Sequence, residues 1–455
     1  MAAIDGATDG DLVRRTWSGP VHVPEKLPAA VDVVVIGGGI VGVSSAWFLK
    51  KQGLTVAVCE KGHVGGEQSG RNWGWVRQQG RDPRELPMMM ESIRIWDGLS
   101  EEIGEDVGFT RAGCLFAART EKDLAALEDW MPIAKEFGLD TRIIDAAGMA
   151  DHVRGAARGW AGAMYTASDG RAEPHRALPA LARALAREGG HVLAGCAVRG
   201  VDVEGGRVAG VVTEHGRIRA RAVLCAAGAW TSTFCRSLRI TVPQLKVKGT
   251  VMRTVPGPDV LTGNLFDEKI GIRRRADGGY TVAPGSILEH AVTPSSFRFF
   301  PLFFRALMQE RNVVKLSFGR EFLDEWRTPK EWDLDKPSPF EATRVLDPAP
   351  GERALRTVRQ DLGRVFPQLA ALEVAEAWAG IIESSPDVVP IIGEADALPG
   401  FYVATGFSGH GFGIGPGAGY AIAGMIADRD TGIDLEPLRP GRFFDGSPIR
   451  PQVTI

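Results

Sequence analysis

Residues 31–61 read VDVVVIGGGIVGVSSAWFLKKQGLTVAVCEK, and the order of their parts decides the fold. The apolar run Val31, Val33, Val34, Val35 and Ile36 predicts a buried strand that enters Gly37, Gly39 and Gly42 at G-x-G-x-x-G spacing. A helix of small and apolar residues follows to Lys50, then Gly53, then a second strand, Thr55 to Cys59, ending at Glu60. Each part has a physical task in holding a dinucleotide. Gly37 permits the tight turn, Gly39 lets a pyrophosphate approach the backbone, and Gly42 lets helix and strand pack closely. Unpaired N–H groups at the helix start, from Ile40 and Val41 onward, offer partial positive charge to phosphate. Glu60, with Lys61 beside it, is placed to accept hydrogen bonds from an adenosine ribose. Strand, turn, helix, strand and acid fall in register, which a glycine-rich turn without a ligand does not require. Which dinucleotide is bound stays open at this point.

The rest of the composition narrows the class. A chain of 455 residues exceeds one simple core, so two intertwined or successive domains are expected. Hydrophobic content of 44% and charged content of 24% suit a soluble globular protein. Glycine, at 57 residues, is well above the usual share of roughly 7%, and much of it sits in loops able to approach a cofactor. Net charge is −3 without a strong basic block, which argues against a nucleic-acid binder. Cys59, Cys114, Cys196, Cys225 and Cys235 are odd in number and lack metal-ligand spacing, so no metal is expected. Buried thiols in a reducing cytoplasm fit them. Residues 1–29 read as an N-terminal extension, with no export signal evident after Arg14-Arg15. The apolar run from Phe401 to Ala427 reads as a cofactor-lining loop plus a buried helix, because its glycine density and His410 do not suit a membrane span.

Further along, residues 62–87 (GHVGGEQSGRNWGWVRQQGRDPRELP) are too polar and glycine-rich for regular structure, and a long loop of this kind is usually functional. Helices are expected over 88–104 and 121–137, with a short strand over 113–118 between them. The segment 160–235 returns to a nucleotide-domain texture, ending in a buried strand, 222–226, that runs into Ala227-Gly228-Ala229-Trp230. From about 240 to 345, alternating strands such as 246–253 and 270–275 suggest an antiparallel sheet. Between them and the next helix lies FRFFPLFFRALM, 297–308. This aromatic cluster reads either as a helix packed on that sheet or as a lid or partner surface, with peripheral membrane contact among its uses.

Four places together carry a family resemblance: DVVVIGGGIVG with Glu60, SGRNWGWVR at 69–77, AAGAWT at 226–231, and the C-terminal block from WAGIIESSPDVVPIIGE to ATGFSGHGFGIGPGAGYAI. The chain resembles the D-amino-acid oxidase-like family of FAD-dependent amine oxidoreductases, which includes glycine oxidase, sarcosine oxidases, D-amino-acid dehydrogenases and opine-oxidising enzymes. The resemblance runs from about residue 30 onward and weakens between about 285 and 345. It implies an α/β fold with a Rossmann-type FAD-binding domain and a second, α+β substrate domain on a mostly antiparallel sheet. The corresponding segments are 30–85, 150–238 and 346–440 for FAD, and 86–149 and 239–345 for substrate. It also implies a reaction: oxidation of a C–N bond by hydride transfer to flavin N5, giving an imine that hydrolyses. Expected substrates are a D-amino acid, an opine or another N-substituted amino acid, with oxygen, a quinone or an electron-transfer partner as acceptor. Two rivals remain: an electron-relaying or non-catalytic subunit of a larger complex, and an NAD-dependent dehydrogenase.

The resemblance also assigns residues. Ser69, Gly70, Arg71, Asn72, Trp73 and Gly74 lie where a second loop wraps the pyrophosphate and flavin. Val198, Ala227, Gly228 and Trp230 are further cofactor-binding candidates, and Gly409, His410, Gly411, Phe412 and Gly413 lie beside the isoalloxazine ring. Arg77 stands where sarcosine oxidases carry an arginine for the substrate carboxylate, a role the planar guanidinium fork suits. Arg273 shares a strand face with Arg275 and, with Tyr280, is a further pocket candidate; a solvated strand edge is the other reading of the arginines. His410 is either a ring neighbour or a packed core histidine, and no proton transfer is assigned to it. A helix starting near Gly417 is expected to aim its N-terminus at the flavin. Three positions depart from sarcosine oxidases. Gly380 replaces the cysteine that attaches FAD, so the cofactor is expected to be noncovalent. Gly413 replaces a pocket lysine, which argues against sarcosine itself. Thr281 falls near an oxygen-activating lysine, which tilts the reading towards a dehydrogenase.

Overall fold

Strand Val33–Ile36 lies inside a six-stranded sheet whose order runs Ile391–Glu394, Phe401–Thr405, Ala222–Cys225, Val33–Ile36, Val56–Glu60, His191–Ala194. The pairs are parallel except the first, which is an antiparallel hairpin. Such a sheet must be covered on both faces, and period-two alternation sorts its residues accordingly. Val33 and Val35 join a core with helices Ile40–Lys51, Leu86–Ile103, Pro174–Arg187 and Gly411–Ile426. Val34 and Ile36 join a second core with the three-stranded sheet Val198–Glu204, Arg207–Thr213 and Gly216–Arg219. The computed structural model describes residues 27–157, 159–285 and 287–451. Most of the expected N-terminal extension therefore lies outside the described residues.

The glycine-dense C-terminal run is a helix buried in protein. A Cβ on Gly417 would lie 2.0 Å from the Met88 carbonyl oxygen, and one on Gly419 would lie 2.6 Å from Ser44 Cβ. The small residues thus let Gly411–Ile426 press against helices Leu86–Ile103 and Ile40–Lys51. No helix among the described residues is long and apolar enough to cross a membrane.

The second large sheet has ten strands and is mostly antiparallel. Its longest pairing sets Leu245–Thr254 against Val374–Ser384, from Leu245↔Ser384 to Thr254↔Val374. Val374–Ser384 and Gly162–Thr166 both run in this sheet, although the sequence reading groups them with the nucleotide-binding segments. The expected helix over 121–137 is two helices, Glu121–Glu128 and Met131–Glu136. Pro132 sits in the first turn of the second, where its missing N–H is harmless but continuation from the helix before it is not. The glycine-rich loop holds one turn of helix, Gln68–Arg71, and the short strand Trp75–Val76.

Candidate functional site

One cavity of about 750 Å³ takes in the start of the first strand–helix turn, the loop after Glu60 and the start of the C-terminal helix. Gly37 adopts φ +109°, and a Cβ there would lie 2.4 Å from the Ala226 carbonyl oxygen, so only glycine fits the turn. Gly39 is the N-cap of helix Ile40–Lys51 and, having no side chain, supplies no capping hydrogen bond itself. Ser69 Oγ accepts the Ile40 N–H at 2.9 Å, which leaves the hydroxyl proton for a cavity acceptor. Gly42 does not reach the cavity; its Cα lies against Gly37, where a Cβ would come 2.2 Å from the carbonyl oxygen.

Glu60 accepts N–H bonds from Gly38 at 2.8 Å and Gly62 at 2.7 Å, which fixes the carboxylate on the cavity wall. Burial raises its pKa, against these two bonds. Lys61 Nζ donates to Glu67, Thr343 O and Arg344 O and lies 4.4 Å from the centre of the Trp230 ring. The Trp230 indole N–H donates to Glu67 in turn. Val198, Ala227 and Gly228 share this wall.

The loop that follows is braced internally. Asn72 donates to Ser69 O at 2.7 Å and accepts from Gly74 N–H at 2.7 Å. Arg71 borders the cavity, but its guanidinium is held by Asp347 and the carbonyls of Ala379 and Gly66. Gly70 and Gly74 lie off the cavity, packed against Gly65 and against Ala172 with Arg273. Trp73 stands on the wall between Trp75 and Phe266.

Arg77 is buried on the same wall, its guanidinium 4.9 Å from the centre of the Phe116 ring and bonded to Gln79 O. Asp169 holds this segment by accepting the N–H groups of Gln78 and Gln79. Arg81, four residues on, also lines the cavity. His410 caps the start of helix Gly411–Ile426, and its Nδ1 lies 3.3 Å from both oxygens of buried Glu85. Burial, reinforced by Arg81, pushes the imidazole down to about 4. Near neutral pH it is therefore uncharged, with Nδ1–H given to Glu85 and Nε2 left as an acceptor. Gly409, Gly411, Phe412 and Gly413 border the cavity beside it. A Cβ on Gly413 would lie 2.9 Å from Trp75 O, so the backbone here leaves no room for a longer side chain.

Further expectations need correction. Arg273 is 1% exposed, pairs bidentately with Glu173 at 2.8 and 3.0 Å, and bonds Trp73 O. It braces the loop from behind and does not line the cavity. Tyr280 is fully buried in the core of the large sheet, with its hydroxyl between Pro258 O and Val260 N–H. The helix expected near Gly417 begins at Gly411. Thr281, too, lies off the cavity and accepts from Arg275.

Other wall residues escaped the sequence reading. Arg81 follows Arg77 by four residues, and Glu85, the buried partner of His410 behind the wall, follows by four more, a signal hidden by the assignment of the segment to loop. Glu383, 4% exposed, borders the cavity from the long strand pair with Oε2 unpartnered, and burial raises its pKa to about 7. The aromatic cluster forms helices Pro294–Arg298 and Phe300–Glu310. Phe299 and Phe303 turn inward, while Phe297, Phe300, Phe304 and Met308 are exposed, with Phe318 and Trp326 beyond them in sequence.

A doubly covered parallel sheet, a glycine-built helix start and an acid on the cavity wall at the end of the second strand define a dinucleotide-binding protein. The family model described as FAD dependent oxidoreductase, DAO, matches residues 32–425, and the chain belongs to that family. Among solved structures, the L-amino acid deaminase from Proteus myxofaciens in complex with anthranilate superposes with TM-score 0.90 at 32% identity, over 93% of this chain and 96% of that one. The mitochondrial sarcosine dehydrogenase of Mus musculus is 26% identical over 93% of this chain. This chain spans 42% of that protein's length. Sarcosine oxidase subunit beta of Rhodobacter capsulatus is 23% identical over 95% of this chain and 93% of its own. The residues present fit FAD: the glycine-built helix start with Ser69 beside it suits a pyrophosphate, and the fixed Glu60 carboxylate suits a ribose.

Proposed function

We propose that the protein oxidises the C–N bond of an amine that carries a carboxylate: an amino acid, an opine or another N-substituted amino acid. The observation that carries this reading is that one continuous cavity takes in both Glu60 and Arg77. A cofactor anchored at Glu60 and an acid held at Arg77 would then meet in the same space. FAD, bound there noncovalently, supplies the hydride acceptor for the Cα–H bond. Glu60 and Ser69 would hold its ADP half, and the glycine-built start of helix Ile40–Lys51 would face the pyrophosphate. Arg77, immobilised on Phe116 and Gln79 O, receives the substrate carboxylate and so orients Cα. Trp73, Trp75 and Phe116 surround that position with apolar surface that excludes water. Neutral His410 offers Nε2 as a hydrogen-bond acceptor for the substrate N–H, which helps to orient the amine. Similarity to proteins named for L-amino acid deamination and sarcosine oxidation supports the substrate class.

The acceptor of the electrons belongs to the same proposal. Glu310 and Val313 border the cavity at the foot of the exposed aromatic helix, which favours a membrane surface or electron-transfer partner docking there over a purely internal role. An electron-relay role within a larger assembly is the second reading, favoured by that same face and by similarity to a sarcosine oxidase subunit. Anaerobic mixing of the purified flavoprotein with amino acids, opines and N-methyl amino acids tests both. Bleaching of the flavin band by one class supports the first reading, and persistent yellow with every one supports the second.

A further inference from the structure

Three buried arginines of this protein sit on carboxylates: Arg71 on Asp347, Arg273 on Glu173, Arg442 on Asp387. Arg81 differs from these three. It is 3% exposed and borders the cavity, yet no carboxylate among the described residues lies within ion-pairing distance of it. Its Nε donates to Arg77 O at 3.2 Å, and its Nη1 is buried with no acceptor. The two acids nearby are committed elsewhere. Glu85 turns both oxygens to His410, and Asp169 accepts from Gln78 and Gln79. Burial, and then the charge of Arg77, lower the Arg81 pKa to about 9, which is the signature of a cation lacking its counter-ion.

We propose that Arg81 is a second anion-binding group of the cavity, sharing the substrate carboxylate with Arg77. The inference rests on the function proposed above and narrows it: the acid group is held by a two-arginine clamp. A buried, unpaired guanidinium is costly, and a carboxylate arriving in the cavity removes that cost. The site therefore discriminates by charge. An amine whose acid is replaced by an amide leaves Arg81 without its counter-ion and gains nothing from it. Ligand-free protein carries the destabilisation as part of its readiness to bind.

The test uses the purified flavin-containing protein with benzoate and benzamide, which differ in charge at matched shape, each titrated against the visible flavin spectrum. Arg81→Met is expected to raise the benzoate Kd ten-fold or more, a change of about 1.4 kcal/mol, with benzamide unaffected. Its melting temperature without ligand is expected to equal or exceed that of the parent, which a merely structural arginine would not allow. If Arg81→Met does not retain flavin, Arg81→Gln is read the same way. An unchanged benzoate Kd overturns the clamp while leaving the proposed function intact. Failure of benzoate to perturb the parent protein, together with failure of every amine acid to reduce it, overturns the function itself.

Discussion

Glu85 and His410 face one another across 325 residues of chain, with Nδ1 of the imidazole 3.3 Å from both carboxylate oxygens. The pair joins the start of helix Leu86–Ile103 to the start of helix Gly411–Ile426, with His410 on the cavity wall and Glu85 buried behind it. Its pH behaviour follows from burial. His410 is held near 4, below its unfolded value, so the unfolded chain binds more protons between about 4 and 6.5. Stability from this site is full above about 6.5 and is lost as pH falls towards 4. His410→Gln should flatten that part of a melting-temperature profile. An unchanged profile would mean that the imidazole titrates normally.

Glu383 works in the opposite sense. Burial lifts its pKa to about 7, so the folded protein binds the extra proton between about 4.5 and 7. Stability from this group is greatest at low pH and declines as pH rises through that window. Glu383→Gln removes a buried charge and should raise the melting temperature at pH 8 more than at pH 5. Equal shifts at both values would contradict the assignment.

Arg273 and Glu173 form a buried bidentate pair behind the loop that carries Trp73. Breaking it with Glu173→Gln or Arg273→Met leaves one charge uncompensated and should cost about 3–5 kcal/mol in denaturant unfolding. Replacing both should cost less than the sum, because no lone charge remains. Were Arg273 a substrate residue, Arg273→Met would instead raise KM with stability intact.

That contrast marks how far the sequence could be read. Gly37, Gly39 and Glu60 were legible because their geometry is local: strand, turn and helix fix where each group points within a few tens of residues. The apolar helix 411–426 was legible as buried for the same reason. Arg273 and Tyr280 were not, because strand alternation says which residues share a face but not what covers that face. Here Glu173 covers Arg273, and the core around Val260 and Leu261 surrounds Tyr280. Strand 374–384 was assigned away from its sheet because its partner, 245–254, lies more than a hundred residues earlier. Arg81 carries no motif; its interest lies in the partner it lacks, which only coordinates reveal.

The exposed aromatic face gives a further prediction. Phe297, Phe300, Phe304, Phe318 and Trp326 each present a large apolar surface, and burying one fully contributes about 1.5–3 kcal/mol. Phe300→Ser with Phe304→Ser should sharply reduce co-flotation with phospholipid vesicles while leaving anaerobic flavin reduction unchanged. Equal flotation of variant and parent would remove this face from membrane contact.

The most direct test of the central claim is anaerobic stopped-flow reduction of the bound flavin by a panel of amine acids, comparing the parent with Arg77→Ala. The parent should be bleached by at least one carboxylate-bearing amine and not by its amide. Arg77→Ala should weaken that substrate's apparent binding by about 2–5 kcal/mol. A parent protein reduced equally well by acid and amide, or an Arg77→Ala variant with unaltered affinity, would contradict the account.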